Sequence, residues 1–288
     1  MAIENKTKLA KTLGIARSSL YYQTKKPIKD EALKQTIIKV MINHPAYGHK
    51  RIALELGANK KQILRVMKKY CLKPKKTRKS KPEKLDDRGK MPCNVPNLAK
   101  TICPIRPNVL WVGDFTYLPW QDGFIYAATV MDIFTREILG WSLGLRHTSA
   151  LVIDALMDAL QKTNARPLIF HSDQGSEYAS NDHESILKKL NSDISYSKKA
   201  SPWENPFQES FYNNFKLEMG NINRFVDLGA LTEAVAQQLT YYNTSRIHTS
   251  LKMSPQRFKA RYLFKTKTTT PVAVVANNYL LSESPKSV

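Results

Sequence analysis

Three acids in this chain stand where an ionised carboxylate is expensive. The stretch "PLIFHSDQGSEY" ends an apolar run on Asp173 and turns polar at once. "LWVGDFTYLPW" sets Asp114 inside an otherwise apolar and aromatic run, and "PFQESFYNNFKLEM" carries Glu209 among aromatic residues. A charge at the tip of a buried strand is costly unless a cation meets it there. Two carboxylates brought close repel, and both stay ionised only with a cation between them. Three carboxylates from separate elements, with positions left for water, are a hard-oxygen set. Such a set suits Mg²⁺ or Mn²⁺ rather than zinc.

The elements that must bring them together read as a mixed sheet. "LWVGDFTYLPW" is expected to be a strand broken at Pro119, and "GFIYAATVMDIFTREILGWSLG" two more strands with a turn near Thr135–Arg136. A helix over "TSALVIDALMDALQKT" follows, then a short fourth strand, "PLIF", running onto His171, Ser172 and Asp173. "NDHESILKKLN" reads as a second helix, "ISYSK" as a fifth strand and "WENPFQESFYNNFKLEM" as a third helix. In the order βββαβαβ-α the first and fourth strands can be neighbours, which joins Asp114 to Asp173 while the third helix adds Glu209 from above. Lys216 lies nearly two helical turns after Glu209 and so shares its face, where it would meet a phosphate. Asp132, Glu137, Glu204 and Glu218 are further acids, for which ion pairing is the competing role. His171 reads as a packing or DNA-positioning residue and Trp203 as packing for its loop. His171, Ser172 and Asp173 are adjacent in sequence and cannot form a hydrolase triad.

Charge divides the chain of 288 residues. Residues 1–110 hold 27 Lys+Arg against 7 Asp+Glu, whereas residues 111–288 hold 18 against 17. A basic half joined to a neutral one points to a polyanion-binding region and a separate working region. Within the basic half a shape repeats: Ala10, Gly14 and Leu20, then Ala53, Gly57 and Ile63, at the same offsets. A small residue, a turn glycine and an apolar anchor in that order predict tandem helix-turn-helix units, with a helix over "DEALKQTIIKVMINHP" between them. Their second helices are expected to begin near Ala16 and Asn59. Their first turns offer Arg17, Ser18 and Ser19 in one copy and Asn59, Lys60, Lys61 and Gln62 in the other, residue types that contact bases and phosphates. "KPKKTRKSKPEKLDDRGK" is too polar for a core and reads as a linker along a phosphate backbone.

No run of about 18 apolar residues marks a membrane span, and the start lacks the apolar segment of a secretory signal. Three cysteines without a CxxC pair fit free thiols in a reducing cytoplasm. The organisation expected is a first helix-turn-helix at 1–26 and a second at 27–74. A basic linker at 75–104, a catalytic core at 105–220, a helical extension at 221–264 and a tail at 265–288 follow.

Between Asp114 and Asp173 lie 58 residues, and between Asp173 and Glu209 lie 35. This pattern resembles the D,D-35-E core of retroviral integrases and insertion-sequence transposases, most closely the second-reading-frame (OrfB) transposases of bacterial insertion sequences. "AYGHKRI", "LWVGDFTYLP", "FHSDQGSEY", "SPWENPFQESFYNNFKLE" and "YYNTSRIHTSLKMSP" carry the likeness in the family's order, from about Tyr47 to Pro255. The resemblance implies an α/β, ribonuclease-H-like core of the retroviral integrase type behind an N-terminal all-helical helix-turn-helix region. It implies Asp114, Asp173 and Glu209 as catalytic metal ligands for two Mg²⁺ ions, with Mn²⁺ as substitute, about 3.5–4 Å apart. The implied reaction is 3′-end cleavage and strand transfer on double-stranded DNA: the element's terminal inverted repeats and a target. A homo-oligomer on DNA and an upstream-frame fusion partner are implied too. Asn243, Arg246 and His248, in a polar motif shared with the family, have two roles open: contacts to terminal DNA, or a packed helix-loop that seals the core. The chain departs from the family at Glu204, Asn205 and Pro206, where Asp-Asn-Ala is common, so the loop before the third helix is expected to differ. A catalytically inactive DNA-binding regulator would lack one of the acids. A ribonuclease-H-like nuclease would lack the paired helix-turn-helix units.

Overall fold

The computed structural model describes residues 6–20, 26–75, 95–198 and 205–268. Most of the expected linker, the loop holding Trp203 and Glu204, and nearly all of the tail fall outside those residues. The chain divides into two compact units, Met1–Pro74 and Lys75–Val288.

The first unit contains helices α1 (Lys6–Thr12), α2 (Lys26–Asn43), α3 (His49–Glu55) and α4 (Lys60–Lys69). Both repeated glycines adopt positive φ, +64° at Gly14 and +59° at Gly57. Each closes its helix in the same way. Ile15 N–H donates to the Ala10 carbonyl and Ala58 N–H to that of Ala53, which fixes why alanine and glycine stand four apart in both copies. The two copies then diverge. Asn59 caps α4, its side chain accepting from Lys61 N–H at 2.9 Å. After Gly14 only a single 3-10 turn forms, Arg17–Leu20, where a recognition helix was expected. Serines at 18 and 19 weaken a helix start, because their hydroxyls compete for its backbone groups.

Ile37, Ile52, Ile63 and Val66 are fully buried between α2, α3 and α4. Asp30, 2% exposed, accepts hydrogen bonds from Arg65 at 2.8 Å and Lys69 at 3.1 Å, tying the start of α2 to α4. Those bonds hold its carboxyl well below the usual carboxylate range. A depressed carboxyl pKa stabilises the fold fully above the unfolded value, about 3.9, and the benefit fades as pH falls through the folded value. Asp30→Asn is therefore expected to lower the thermal midpoint of this unit near neutrality, with the gap to the wild type closing below about pH 4. All four tryptophans (Trp111, Trp120, Trp141 and Trp203) lie beyond residue 74. Far-UV circular dichroism should thus report the loss while tryptophan fluorescence does not move.

The second unit is built on five strands: β1 (Leu110–Trp120), β2 (Gly123–Asp132), β3 (Ile138–Gly144), β4 (Ile169–Ser172) and β5 (Asp193–Tyr196). Their order is β3-β2-β1-β4-β5. β1 and β3 pair antiparallel with β2, whereas β4 runs parallel to both β1 and β5. Helices α5 (Ser149–Thr163) and α6 (Asn181–Lys189) join the parallel strands, and α7 (Pro206–Met219), α8 (Leu228–Thr244) and α9 (Pro255–Thr268) follow. Alternation along the strands sorts the core into two layers. Leu110, Val112 and Leu118 pack with Phe211 and Phe215 of α7 and Leu239 of α8. Trp111, Val130 and Phe170 pack with Val152 and Ala155 of α5. At Gly140 the helix lies directly on the sheet: a Cβ there would stand 2.3 Å from the Ala155 carbonyl oxygen and the Ala159 nitrogen.

Pro119 does not break β1. The hairpin continues through Pro119↔Phe124 to Trp120↔Gly123. In a two-residue hairpin the pair beside the turn is the hydrogen-bonded one, so position 119 faces the open edge, where a missing N–H costs nothing. β4 pairs with β1 only along Leu110–Val112, which leaves that edge open.

Candidate active site

β1 and β4 start level, Leu110 opposite Ile169. Asp114 therefore lies two residues past the last paired position of β1, and Asp173 one residue past the end of β4. Both line a cavity of about 520 Å³, together with Glu209 from the first turn of α7 and Lys216 further along the same helix. The backbone secures the two aspartates: Asp114 Oδ1 accepts from Phe115 N–H at 2.9 Å, and Asp173 Oδ1 from Gly175 N–H at 3.0 Å. A side chain at Gly175 would crowd both acids, since a Cβ would stand 2.9 Å from Glu177 Oε2 and 3.0 Å from Asp173 Oδ1.

Burial, with the facing Asp173 carboxylate adding to it, pushes Asp114 up to about 8. Burial and then the charge of Glu177 raise Asp173 as well, against the Gly175 N–H. Lys216 counters part of this charge, although burial lowers its own pKa. The cavity brings the carboxyl oxygens of Asp114, Asp173 and Glu209 together with two cations, Lys198 and Lys216. That oxygen set fits a hard divalent cation. Among the described residues, however, no three His, Cys, Asp or Glu side chains stand close enough to grip an ion as they are. Asp114 and Asp173 form the facing pair, and Glu209 is exposed at the rim, in the first turn of α7.

Two residues of α7 that sequence reasoning passed over set the height of Glu209. Gln208, fully buried, donates to the Val112 carbonyl at 2.8 Å. Tyr212 donates to the Asp114 carbonyl at 2.7 Å, and its hydroxyl lies 2.8 Å from that of Thr129. A polar residue every fourth position on an otherwise aromatic helix face was the available signal. Glu177, in the turn between β4 and α6, is another acid near the site, held below its ordinary value despite burial by His147, whose Nδ1 lies 2.6 Å away.

Of the other acids, Asp132, Glu137 and Glu218 find structural partners, and Glu204 lies outside the described residues. Asp132, 1% exposed, accepts from Asn108 N–H at 2.6 Å and Thr135 N–H at 2.7 Å. Glu137 pairs with Lys259 at 2.8 Å and Glu218 with Arg246 at 2.7 Å. His171 is buried with Nδ1 2.9 Å from the Ser195 hydroxyl, a packing role. For the motif that begins in the last turn of α8, the geometry supports the packed alternative over DNA contact. Arg246 is 2% exposed and occupied by Glu218. Asn243 accepts from Ile138 N–H at 2.9 Å and donates to its carbonyl at 2.8 Å, clamping α8 to β3. His248 pairs through its backbone with Met253. In the first unit, Arg17, Ser18, Ser19, Asn59, Lys60, Lys61 and Gln62 are all exposed, but Asn59 already spends its oxygen on the cap.

The integrase core domain family matches residues 104–202, and a second integrase core domain family matches residues 190–255. The chain is 34% identical over 246 residues to the transposase for insertion sequence element IS904 of Lactococcus lactis, which covers 82% of this chain and 96% of that protein. It is 28% identical over 271 residues to the transposase InsF for insertion sequence IS3A of Escherichia coli, covering 88% of this chain and 94% of that one. Among solved structures, the simian T-cell lymphotropic virus intasome in complex with PP2A regulatory subunit B56 gamma aligns over 87% of this chain and 80% of its own, at 16% identity and a TM-score of 0.52. The shared fold is the ribonuclease-H-like core of retroviral integrases, carried here behind helical N-terminal elements. No helix among the described residues is long and apolar enough to cross a membrane.

Proposed function

The chain belongs to the IS3 family of insertion-sequence transposases with an integrase core, and from that premise we propose that it binds the ends of its element and catalyses their 3′-end cleavage and strand transfer. The observation that carries this reading is the meeting of Asp114 and Asp173, from the neighbouring strands β1 and β4, in one cavity with Glu209 and Lys216. The D,D-35-E spacing supports the same three acids as the ligands of two Mg²⁺ ions, which Mn²⁺ can replace. When bound, such ions supply Lewis acidity that activates the attacking oxygen and stabilises the leaving one.

The rest falls to this chain's own groups. Gly175 N–H holds one oxygen of Asp173 and Phe115 N–H one oxygen of Asp114, which orients each carboxylate. Gln208 and Tyr212 hold α7 at the height from which Glu209 closes the set. Lys216 receives a phosphate oxygen of the scissile strand. No side chain forms a bond to DNA: the new P–O bond comes from water in cleavage or from a freed 3′-hydroxyl in joining. The old P–O bond breaks to a 3′-oxygen, which takes a proton from solvent and becomes a 3′-hydroxyl, while the attacking oxygen gives its proton up to solvent. The exposed first turn of α4, with Lys60, Lys61 and Gln62, supplies DNA contact, together with Arg17, Ser18 and Ser19. The working form is a homo-oligomer on DNA that aligns element ends with target; an upstream-frame fusion partner would add a further binding segment.

A labelled duplex carrying one element end separates the readings. A transposase yields both a shortened strand and a longer joined one. A ribonuclease-H-like nuclease yields shortened product alone, and an inactive regulator yields neither. Asp173→Asn is expected to lose both products while still retarding the labelled end; joining by that variant contradicts the assignment.

A further inference from the structure

The β1–β2 hairpin has two faces of opposite fate. On one, Leu118 and Ile125 are 2% and 0% exposed, and Trp120 donates to the Phe225 carbonyl at 3.1 Å. On the other, Tyr117 is paired across the strands with Tyr126 and Pro119 with Phe124, so all four side chains share one surface. The helix that covers this side, α5, begins at Ser149, near the register where Gly144 pairs with Tyr126. Beyond that register the face is uncovered: Tyr117 is 57% and Phe124 51% exposed.

Two groups of rings lie along this side of the hairpin. Phe124 meets Tyr117 edge-on at 5.5 Å, Tyr126 lies 4.9 Å from the His147 ring, and His147 stacks on Phe115 at 6.1 Å. Each group reaches the catalytic cavity, because Phe115 lines that cavity and so does Lys216, whose ammonium lies 4.7 Å from the centre of the Tyr117 ring. An exposed aromatic patch of this kind, edged by a cation, calls for a partner with flat faces and negative charge. Unpaired nucleotides have both, since any base offers a π-face and its phosphate meets the lysine. A strand from a second protein is a poorer fit: Pro119 removes an N–H from the open edge on which strand addition depends.

We infer that this face is a stacking shelf for unpaired nucleotides of the DNA strand held at the catalytic cavity. The inference rests on the transposase reading for the identity of its DNA but has its own readout. The probe is an element-end duplex with a three-nucleotide unpaired tail carrying 2-aminopurine, compared with the same duplex blunt, both bound by the full chain in chelator so that nothing is cleaved. Binding by the wild type quenches the 2-aminopurine. Tyr117→Leu and Phe124→Leu, which stay apolar but cannot stack, are expected to weaken tailed DNA roughly tenfold each and to restore the fluorescence. Blunt duplex affinity should not change, and Phe124→Trp should retain the tight binding and the quench. Equal weakening of both duplexes, or no weakening of either, overturns the shelf. So does a changed oligomeric state with tailed-DNA affinity intact, which would assign the face to a second copy. Loss of joining in Asp173→Asn tests the catalytic reading separately, so either proposal can fail alone.

Discussion

Asp114→Asn is expected to abolish cleavage and joining and, at the same time, to raise the melting temperature measured in chelator. The two effects have one cause. Asp114 is a half-buried acid whose ionisation is opposed first by burial and then by the facing Asp173, with Lys216 as partial compensation, so the cation-free fold bears the cost of burying it in that contact. An amide of the same shape removes that cost and keeps the packing. It also removes an anionic oxygen from the set proposed to hold the ions. Losing several kcal/mol of transition-state stabilisation corresponds to a rate lower on the order of a thousandfold or more. A second arm follows by linkage, because a ligand that binds only the folded state raises its stability. Millimolar Mg²⁺ should raise the wild-type melting temperature and leave that of Asp114→Asn nearly unmoved. A variant that loses activity but melts lower than the wild type, with or without Mg²⁺, would mark Asp114 as structural.

Arg246→Ala is expected to destabilise the second unit by about 3–5 kcal/mol, because it strands a buried charge. Arg246 Nε donates to Glu218 Oε1 at 2.7 Å, and Gln238 donates to Glu218 Oε2 at 2.8 Å. With the guanidinium gone, Glu218 on α7 faces the core with one amide for company. Replacing both partners, as Arg246→Met with Glu218→Leu, should recover most of the loss, since apolar pairs of similar volume commonly match a buried ion pair. Tryptophan fluorescence melts measure this directly. The DNA-contact alternative predicts the reverse: melting unchanged, affinity for DNA reduced, and no rescue by the double substitution.

The contrast between Asp114 and Arg246 shows what was legible in the sequence. Asp114 and Asp173 announce themselves because a carboxylate amid apolar strand residues contradicts its surroundings, whereas Glu209, exposed on α7, was singled out by its 35-residue spacing. The strand order follows from the run of elements, and β1 beside β4 is what the fold shows. Arg246 and Asn243 sit in an ordinary polar stretch, where the letters cannot tell a buried guanidinium from an exposed one. Their partners, Glu218 and Ile138, lie 28 and 105 residues away. Gln208 and Tyr212 were hidden for the same reason: their bonds run to Val112 and Asp114, 96 and 98 residues back. Pro119 misled because proline is read as a strand breaker, whereas the open edge of β1 tolerates it. In the first unit the glycine turns were legible to the residue, since positive φ is a local requirement. The short 3-10 turn at Arg17–Leu20 was not, because helix length depends on what the helix packs against.

The central claim is that Asp114, Asp173 and Glu209 jointly hold the ions that act on DNA. Anomalous X-ray scattering from Mn²⁺ in a crystal of the full chain bound to an element-end duplex tests it most directly. The account predicts manganese peaks between Asp114 and Asp173, at about 2.1 Å from their oxygens, with Glu209 drawn in from the rim as a ligand. Peaks elsewhere, or an occupied aspartate pair with Glu209 still turned to solvent beside the cleaved strand, would contradict it.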